Sequence, residues 1–211
     1  SEGFAVRYSD VVISDNKAIS DYVKDEYCCD SSLISYGGDH LAISELPVEK
    51  DNFFLGLCRI EPENNVEMIL ESFSINGESL KFIGNWSNSD YSCRLRLKYS
   101  NFSNIELIDP IYELDDLFHY RSRCKGYVHG HSAGGTNPSL VEMMHFDTSI
   151  VCFDCSYNRE TTENNACYFS SADQLTDLVL NGLVINGSIM RDIASRRYTW
   201  EIVRQQYERL Y

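Results

Sequence analysis

The run Phe53-Phe54-Leu55-Gly56-Leu57-Cys58 limits the possible folds of this chain more than any other stretch. It is near-continuously apolar, with no polar alternation, so a strand made from it must be covered on both faces. Strands of that kind belong to parallel sheets with helices on either side. The residues that follow keep to the scheme. Arg59 to Asn65 is polar and carries Pro62, and Val66, Met68, Ile69, Leu70 and Phe73 then fall at helical spacing. Residues 80–85 read as the next strand, 91–99 as a helix, and 104–109 as a strand stopped by Pro110. Leu114, Leu117 and Phe118 mark a short helix. A strand at 125–131 leads into a helix over 138–146. Strands at 149–154 and 166–169, a helix over 172–182 and helix throughout 188–211 complete the series. This repeated alternation is the mark of an α/β fold, a Rossmann-like parallel sheet with helices on both faces.

A separate β-α-β unit precedes the series. Residues 10–15 read as a short buried strand. Residues 17–27 are expected to be helical, with Ala18, Ile19, Tyr22 and Val23 on one face. Leu33, Ile34 and Tyr36 form a second strand that ends at Gly37-Gly38-Asp39. Residues 41–51 are polar, contain Pro47 and look like a linker.

Parallel sheets of this class bind ligands outside the carboxyl ends of their strands, so the turns after 53–58, 80–85, 104–109 and 125–131 carry the candidate site. The last is the most informative. After the strand, Gly134-Gly135-Thr136-Asn137 turns directly into a helix, with Asn137 or Thr136 as its cap and Pro138 in its first turn. A turn of this kind aims backbone N–H groups at an anion, most often a phosphate. Glu142, on the helix behind it, is placed either to hold a sugar or ribose hydroxyl or to be solvated on the helix surface. Arg59 follows a buried strand directly and suits a diphosphate; its alternative is a surface ion pair with Glu61 or Glu63. Gly84-Asn85-Trp86 offers close approach at Gly84 and a stacking face at Trp86, or is an ordinary loop.

Charge narrows the partners. The chain has 211 residues, a net charge of −14 and a pI near 4.7, which argues against nucleic acid and against electrostatic docking on anionic lipid. Its apolar runs are too short to cross a membrane. Several of the eight cysteines fall in expected strands, as buried free thiols do, which fits the cytoplasm. His129 and His131, two apart on a strand, share a face as metal ligands can, but no third ligand, His145 included, has clear spacing, and Cys152-Phe153-Asp154-Cys155 is a lone pair without a second, so no metal and no cofactor is expected. The glycine turn lacks the Lys of a GxxxxGK[ST] loop, and no GxGxxG follows residues 53–58, which weakens a nicotinamide-dependent oxidoreductase reading.

Four blocks, FFLGLCRIEPENNVEMILESF, LKFIGNW, NIELIDPIY and YVHGHSAGGTNPSLVEMM, occur in this order. They resemble the donor half of GT-B glycosyltransferases of family 4, in particular the rhamnosyltransferase-like group of bacterial capsule and O-antigen synthesis. The resemblance covers nearly the whole chain. It implies that residues 1–42, with SDVVISDNKAISDYV and LISYGGD, are the last β-α-β and crossover of an incomplete acceptor domain. Residues 43–195 would be the nucleotide-sugar donor domain, and 196–211, ending in TWEIVRQQYERLY, a C-terminal helix that crosses back.

The likeness also implies roles. Arg59 would contact the donor diphosphate, Ile111 and Tyr112 would flank the base, and Glu142 would hold the ribose. Gly84 and the residues Gly134, Gly135, Thr136 and Asn137 complete the expected donor-binding set. Two departures stand out. Asn64 occupies the position where the group commonly has a second cation, and Gly134 occupies that of a first carboxylate near the donor sugar. The implied reaction moves a sugar such as rhamnose from a nucleoside diphosphate, such as dTDP, to a glycan or lipid-linked glycan acceptor, without a metal. The general base would come from the acceptor domain, so these 211 residues alone are expected to bind donor without turnover. The implied setting is the cytoplasm, with the longer protein peripheral at the inner membrane face. A non-catalytic nucleotide-sugar-binding module is the alternative.

Overall fold

The computed structural model describes residues 2–40 and 48–210. Residues 41–47 of the expected linker, and with them the expected boundary between residues 42 and 43, lie outside the described residues.

The sheet is the expected one. Six parallel strands, β3 (Phe54–Leu57), β4 (Leu80–Ile83), β5 (Ile105–Ile108), β6 (Gly126–His129), β7 (Ser149–Phe153) and β8 (Cys167–Phe169), run in the order β5-β4-β3-β6-β7-β8. The order reverses at β3 and β6. The apolar run that begins at Phe53 explains itself here. Phe54 packs into the core on one face of the sheet, and Phe53 and Leu55 into the core on the other. The same split separates Val128 from Tyr127, and Val151 from Ile150 and Cys152. A side-chain period of two with both faces covered leaves no place for a polar residue.

The crossovers divide between those faces. Helices α3 (Val66–Asn76) and α4 (Asp90–Tyr99) supply Ile69, Leu70, Phe73 and Leu95 to the first core. Helix α5 (Leu114–Arg123) and helix α6 (Pro138–Met144) lie over the second, with Leu140, Val141, Met143 and Met144 fully buried. Capping fixes where several helices start. Ser89 and Ser92 form a reciprocal cap on α4, and the Asn137 side chain accepts from the Ser139 N–H at the start of α6, with Pro138 in the first turn.

The preceding unit is also β-α-β. Strands β1 (Ile13–Ser14) and β2 (Ser32–Leu33) pair in parallel, and helix α2 (Lys17–Tyr27), capped by Asn16, joins them. A short helix α1 (Glu2–Tyr8) comes before it, which the sequence did not signal. The strand expected over 10–15 shrinks to two residues. Its buried side chain is Ser14, while Val11 and Ile13 are exposed. Only Val23 of the expected apolar face of α2 is buried.

Downstream, helix α7 (Ser156–Thr161) intervenes between β7 and β8, and α8 (Ala172–Asp177) runs into a wider π turn at Leu178–Gly182. The end of the chain is not one helix. Helix α9 (Gly187–Arg197) stops at Tyr198, and Thr199 caps α10 (Trp200–Glu208) by accepting from the Ile202 N–H. The break serves the crossover from the first unit. Gly38 N–H donates to the Tyr198 carbonyl at 2.8 Å, and the Trp200 N–H donates to Asp39 Oδ1 at 2.8 Å. Gly37 and Gly38 lie so close to Trp200 and to the α6 backbone that a Cβ would come within 2.6 Å and 2.9 Å of them.

Substitution Gly38→Ala is therefore expected to lower unfolding stability by about 1–3 kcal/mol, since α6 backbone atoms have nowhere to move. Chemical denaturation of the two proteins measures it; equal midpoints and slopes would contradict the packing described.

Candidate functional site

The loops at the carboxyl ends of β3, β4 and β5 enclose a cavity of about 340 Å³. Four of the residues expected at the site line it together: Arg59 after β3, Gly84 after β4, and Ile111 and Tyr112 after β5. Leu57, Cys58, Ile60, Ile83 and Pro110 make the remaining wall mostly apolar, and Asn85 and Asn88 add amides. Gly84 is needed to bring two loops together, because a Cβ there would lie 2.4 Å from Ile60 Cδ1 and 2.8 Å from the Cys58 carbonyl. Tyr112 is 84% exposed at the rim. The Arg59 side chain is 78% exposed, and its only ion partner among the described residues, Glu61, stands at 3.7 Å, beyond hydrogen-bonding distance. Its fork of donors is thus available to a ligand. Trp86 is no stacking platform. It is fully buried edge-on to Phe82 and donates to the Ile108 carbonyl at 3.0 Å.

The crevice between β3 and β6 is closed by a polar seam. Asn64, 3% exposed, donates through Nδ2 to the Arg59 carbonyl at 2.7 Å and faces His131 Nδ1 with Oδ1 at 2.7 Å. Asn65 Nδ2 donates to the Gly130 carbonyl at 2.8 Å, and the Ser132 N–H and hydroxyl both donate to the Glu63 carbonyl. Gly130 permits this approach, since a Cβ would stand 2.1 Å from the Asn64 carbonyl oxygen. Sequence reasoning treated Asn64 only as a missing cation. Its burial and its role in shaping the loop had no signal in a polar segment.

The glycine turn sits beyond the seam and is not part of the cavity lining. Gly134 has φ +91°, a conformation that strains any L side chain, which accounts for the absence of a carboxylate there in local terms. Gly135 lies against the Asp15 carboxylate, 1.9 Å from where its Cβ would be. Thr136 is buried; its hydroxyl donates to the Asp15 carbonyl at 2.8 Å and accepts from Asn16 Nδ2 at 3.2 Å. Burial is the dominant effect on the Asp15 carboxyl and raises its pKa, against smaller opposing effects of its own backbone, the Thr136 backbone and Tyr36. An anion of the chain itself therefore occupies part of the expected phosphate cradle. Asn137 is the helix cap.

Glu142 is mostly buried. It pairs with the buried Arg121 and stands 3.4 Å from His40 Nε2. The three histidines do not converge. His145 Nε2 meets the Tyr198 carbonyl, His131 meets Asn64, and His129 Nδ1 meets the Tyr127 hydroxyl at 3.2 Å. Burial pushes His129 down to about 3, so it is neutral, and its Nε2 is buried without a hydrogen-bond partner among the described residues.

No protein-family model matches the sequence, and no curated protein sequence matches it significantly. Solved structures do match. The chain superposes on the pneumococcal O-GlcNAc transferase GtfA in complex with UDP and GlcNAc with a TM-score of 0.73 and 13% identity, over 99% of this chain and 46% of that one. For sucrose-phosphate synthase from Thermosynechococcus elongatus the values are 0.81 and 17%, over 100% and 59%. For Anabaena HepE in complex with UDP-glucose they are 0.77 and 15%, over 98% and 65%. The fold is that of the Rossmann-like donor half of GT-B glycosyltransferases, and the chain spans between 46% and 65% of the length of these three neighbours.

Removing the Glu142 carboxylate leaves Arg121 as an uncompensated buried charge. Glu142→Ala is expected to cost about 3 kcal/mol of stability. A thermal or urea melt checks this. Stability unchanged within error would mean that the Arg121–Glu142 pair contributes nothing, and would leave Glu142 free for another task.

Proposed function

We propose that these residues are the donor-binding half of a glycosyltransferase that takes a nucleoside-diphosphate sugar. The observation that supports this most is the cavity at the carboxyl edge of the sheet, with mostly apolar walls, a Tyr at its rim and, at its mouth, one exposed guanidinium whose ion partner Glu61 stands beyond hydrogen-bonding distance. A base and ribose fit the Ile111–Tyr112 end, and Arg59 then meets the diphosphate bidentately. Transfer of the sugar leaves growing negative charge on that diphosphate, and a fixed guanidinium stabilises it without a metal. Deprotonation of the acceptor hydroxyl falls to a base outside the described residues, supplied by an acceptor domain of which residues 1–42 are the last part. In this reading the 211 residues bind donor but do not turn it over. The proposed donor sugar is a hexose, rhamnose from dTDP by likeness, and the acceptor a growing bacterial capsule or O-antigen type glycan at the cytoplasmic face of the membrane.

Two observations favour a second reading, a nucleotide-sugar-binding module without transfer activity. The Asp15 carboxylate already lies against Gly135 of the glycine turn, and Glu142 is committed to Arg121.

Calorimetry with UDP, dTDP and GDP separates these from a fold without the activity. One nucleotide is expected to bind and to raise the melting temperature, with dTDP the expected choice. Arg59→Ala is expected to weaken it about 10- to 100-fold, the scale of hydrogen bonds to a charged group. Failure of all three to bind the unaltered chain would overturn both readings.

A further inference from the structure

We propose that His131 is a specificity-determining residue of the same site, its Nε2 accepting a hydrogen bond from a hydroxyl of the sugar attached to the diphosphate. This inference rests on the donor-binding reading above.

The tautomer follows from the seam. The Arg59 carbonyl can only accept, so the atom of Asn64 that faces it at 2.7 Å is the NH2. The atom of Asn64 that faces His131 Nδ1 at 2.7 Å is therefore the amide oxygen, which also only accepts. His131 Nδ1 must then carry the hydrogen, which leaves Nε2 as a lone pair. Burial, and next the Arg59 charge, hold the His131 pKa below its ordinary value against a smaller opposite effect of Glu63. The ring is thus a neutral acceptor, suited to a hydroxyl and unsuited to a phosphate.

Nε2 is available and well placed. Among the described residues no group hydrogen-bonds to it. It points toward Gly134, where an added Cβ would lie 3.5 Å away. Gly134 has no side chain to compete for it and, at φ +91°, is unsuited to carrying one. The positions along the sheet edge then have an order. Ile111 and Tyr112 line the cavity, Arg59 stands at its mouth, and His131 comes next, close enough to feel the Arg59 charge. A ligand with its base in the cavity and its diphosphate at Arg59 sends its sugar toward His131 and Gly134. Asn64 sets both contacts through one side chain, the Arg59 backbone by its NH2 and the imidazole by its oxygen.

The test compares each nucleotide with its sugar form, using UDP and UDP-glucose, dTDP and dTDP-rhamnose, and GDP and GDP-mannose, on the 211-residue chain by calorimetry. His131→Asn keeps a donor near Asn64 and removes the outward acceptor. It is expected to weaken the sugar form of the preferred pair about 5- to 20-fold, the scale of one lost hydrogen bond, while the free nucleotide binds as before. His131→Gln, which places an amide near the Nε2 position, is expected to recover part of the loss. Arg59→Ala weakens both forms of the pair. If His131→Asn leaves both affinities unchanged, or lowers both by one factor, Nε2 does not contact the sugar and the proposal is overturned while donor binding stands. If no pair binds the unaltered chain, the donor reading is overturned and this proposal with it.

Discussion

The site depends on a single buried amide. Asn64 joins the loop after β3 to the loop after β6, the two strands where the order of the sheet reverses. In open parallel sheets that reversal leaves a crevice, and the crevice is where ligands usually lie. Here Asn64, Asn65 and Ser132 stitch it shut, and Gly130 lets the backbones meet. The open volume is displaced to the β4 and β5 side. A buried amide with both ends hydrogen-bonded imposes geometry on its partners, because a mismatched orientation would leave two acceptors face to face. The position of Arg59 and the orientation of His131 both follow from it.

A second polar junction sets how the first unit meets the sheet. Asp15 and Asn16 follow β1 and engage Thr136 through two hydrogen bonds, carbonyl to hydroxyl and amide to hydroxyl, and the Asp15 carboxylate lies against Gly135 beside it. Asn16 does double duty, as it also caps α2 and reaches the Tyr157 carbonyl and the Thr161 hydroxyl. The glycine turn is therefore a docking point for the chain's own first unit as well as a candidate ligand surface. Burial raises the Asp15 pKa, so its carboxylate is held there at a desolvation cost that the neighbouring backbone and Tyr36 only partly offset. An incoming anion at this turn would compete with Asp15 directly.

The sequence carried most of the fold and part of the cavity lining, for identifiable reasons. Phe53 to Cys58 is readable because two covered faces require an unbroken apolar run, and the helix start at Asn137-Pro138 because capping is local. Residues 10–15 misled because Val11, Val12 and Ile13 look like a core strand, while the buried groups are Ser14 and Asn16, held by hydrogen bonds. The break at Tyr198-Thr199 was hidden because its cause is distant: Gly38 and Asp39 claim the backbone there. Among site residues, Arg59, Gly84, Ile111 and Tyr112 share a cavity because they occupy equivalent positions after neighbouring strands. The pairing of Asn64 with His131 is not legible because a partner 67 residues away gives no signal in a single sequence. Arg121 was missed for the same reason. Nothing in an amphipathic helix tells which arginine will be buried against a carboxylate on another helix.

The acidity of the chain is no obstacle to an anionic ligand at this place. With net charge −14 the average surface repels a diphosphate, but at physiological ionic strength charges more than about 8 Å apart are largely screened. What acts at contact is the local set, and the cavity lining holds one cation and no carboxylate. Several other cations are engaged: Arg94 with Glu67, Arg123 with Asp51, Arg159 with Asp154, and Arg196 and Arg197 with Glu163. Arg59 differs from these in having no hydrogen-bonded partner for its side chain among the described residues, while its backbone is pinned by Asn64. A side chain with a fixed base and an exposed head loses less freedom on binding than one on a mobile loop, and the Glu61 pair it must loosen, at 3.7 Å, carries no hydrogen bond. The acidic remainder then acts in favour of selectivity. It weakens non-specific association with polyanions, whose charges extend past the one guanidinium that can receive them.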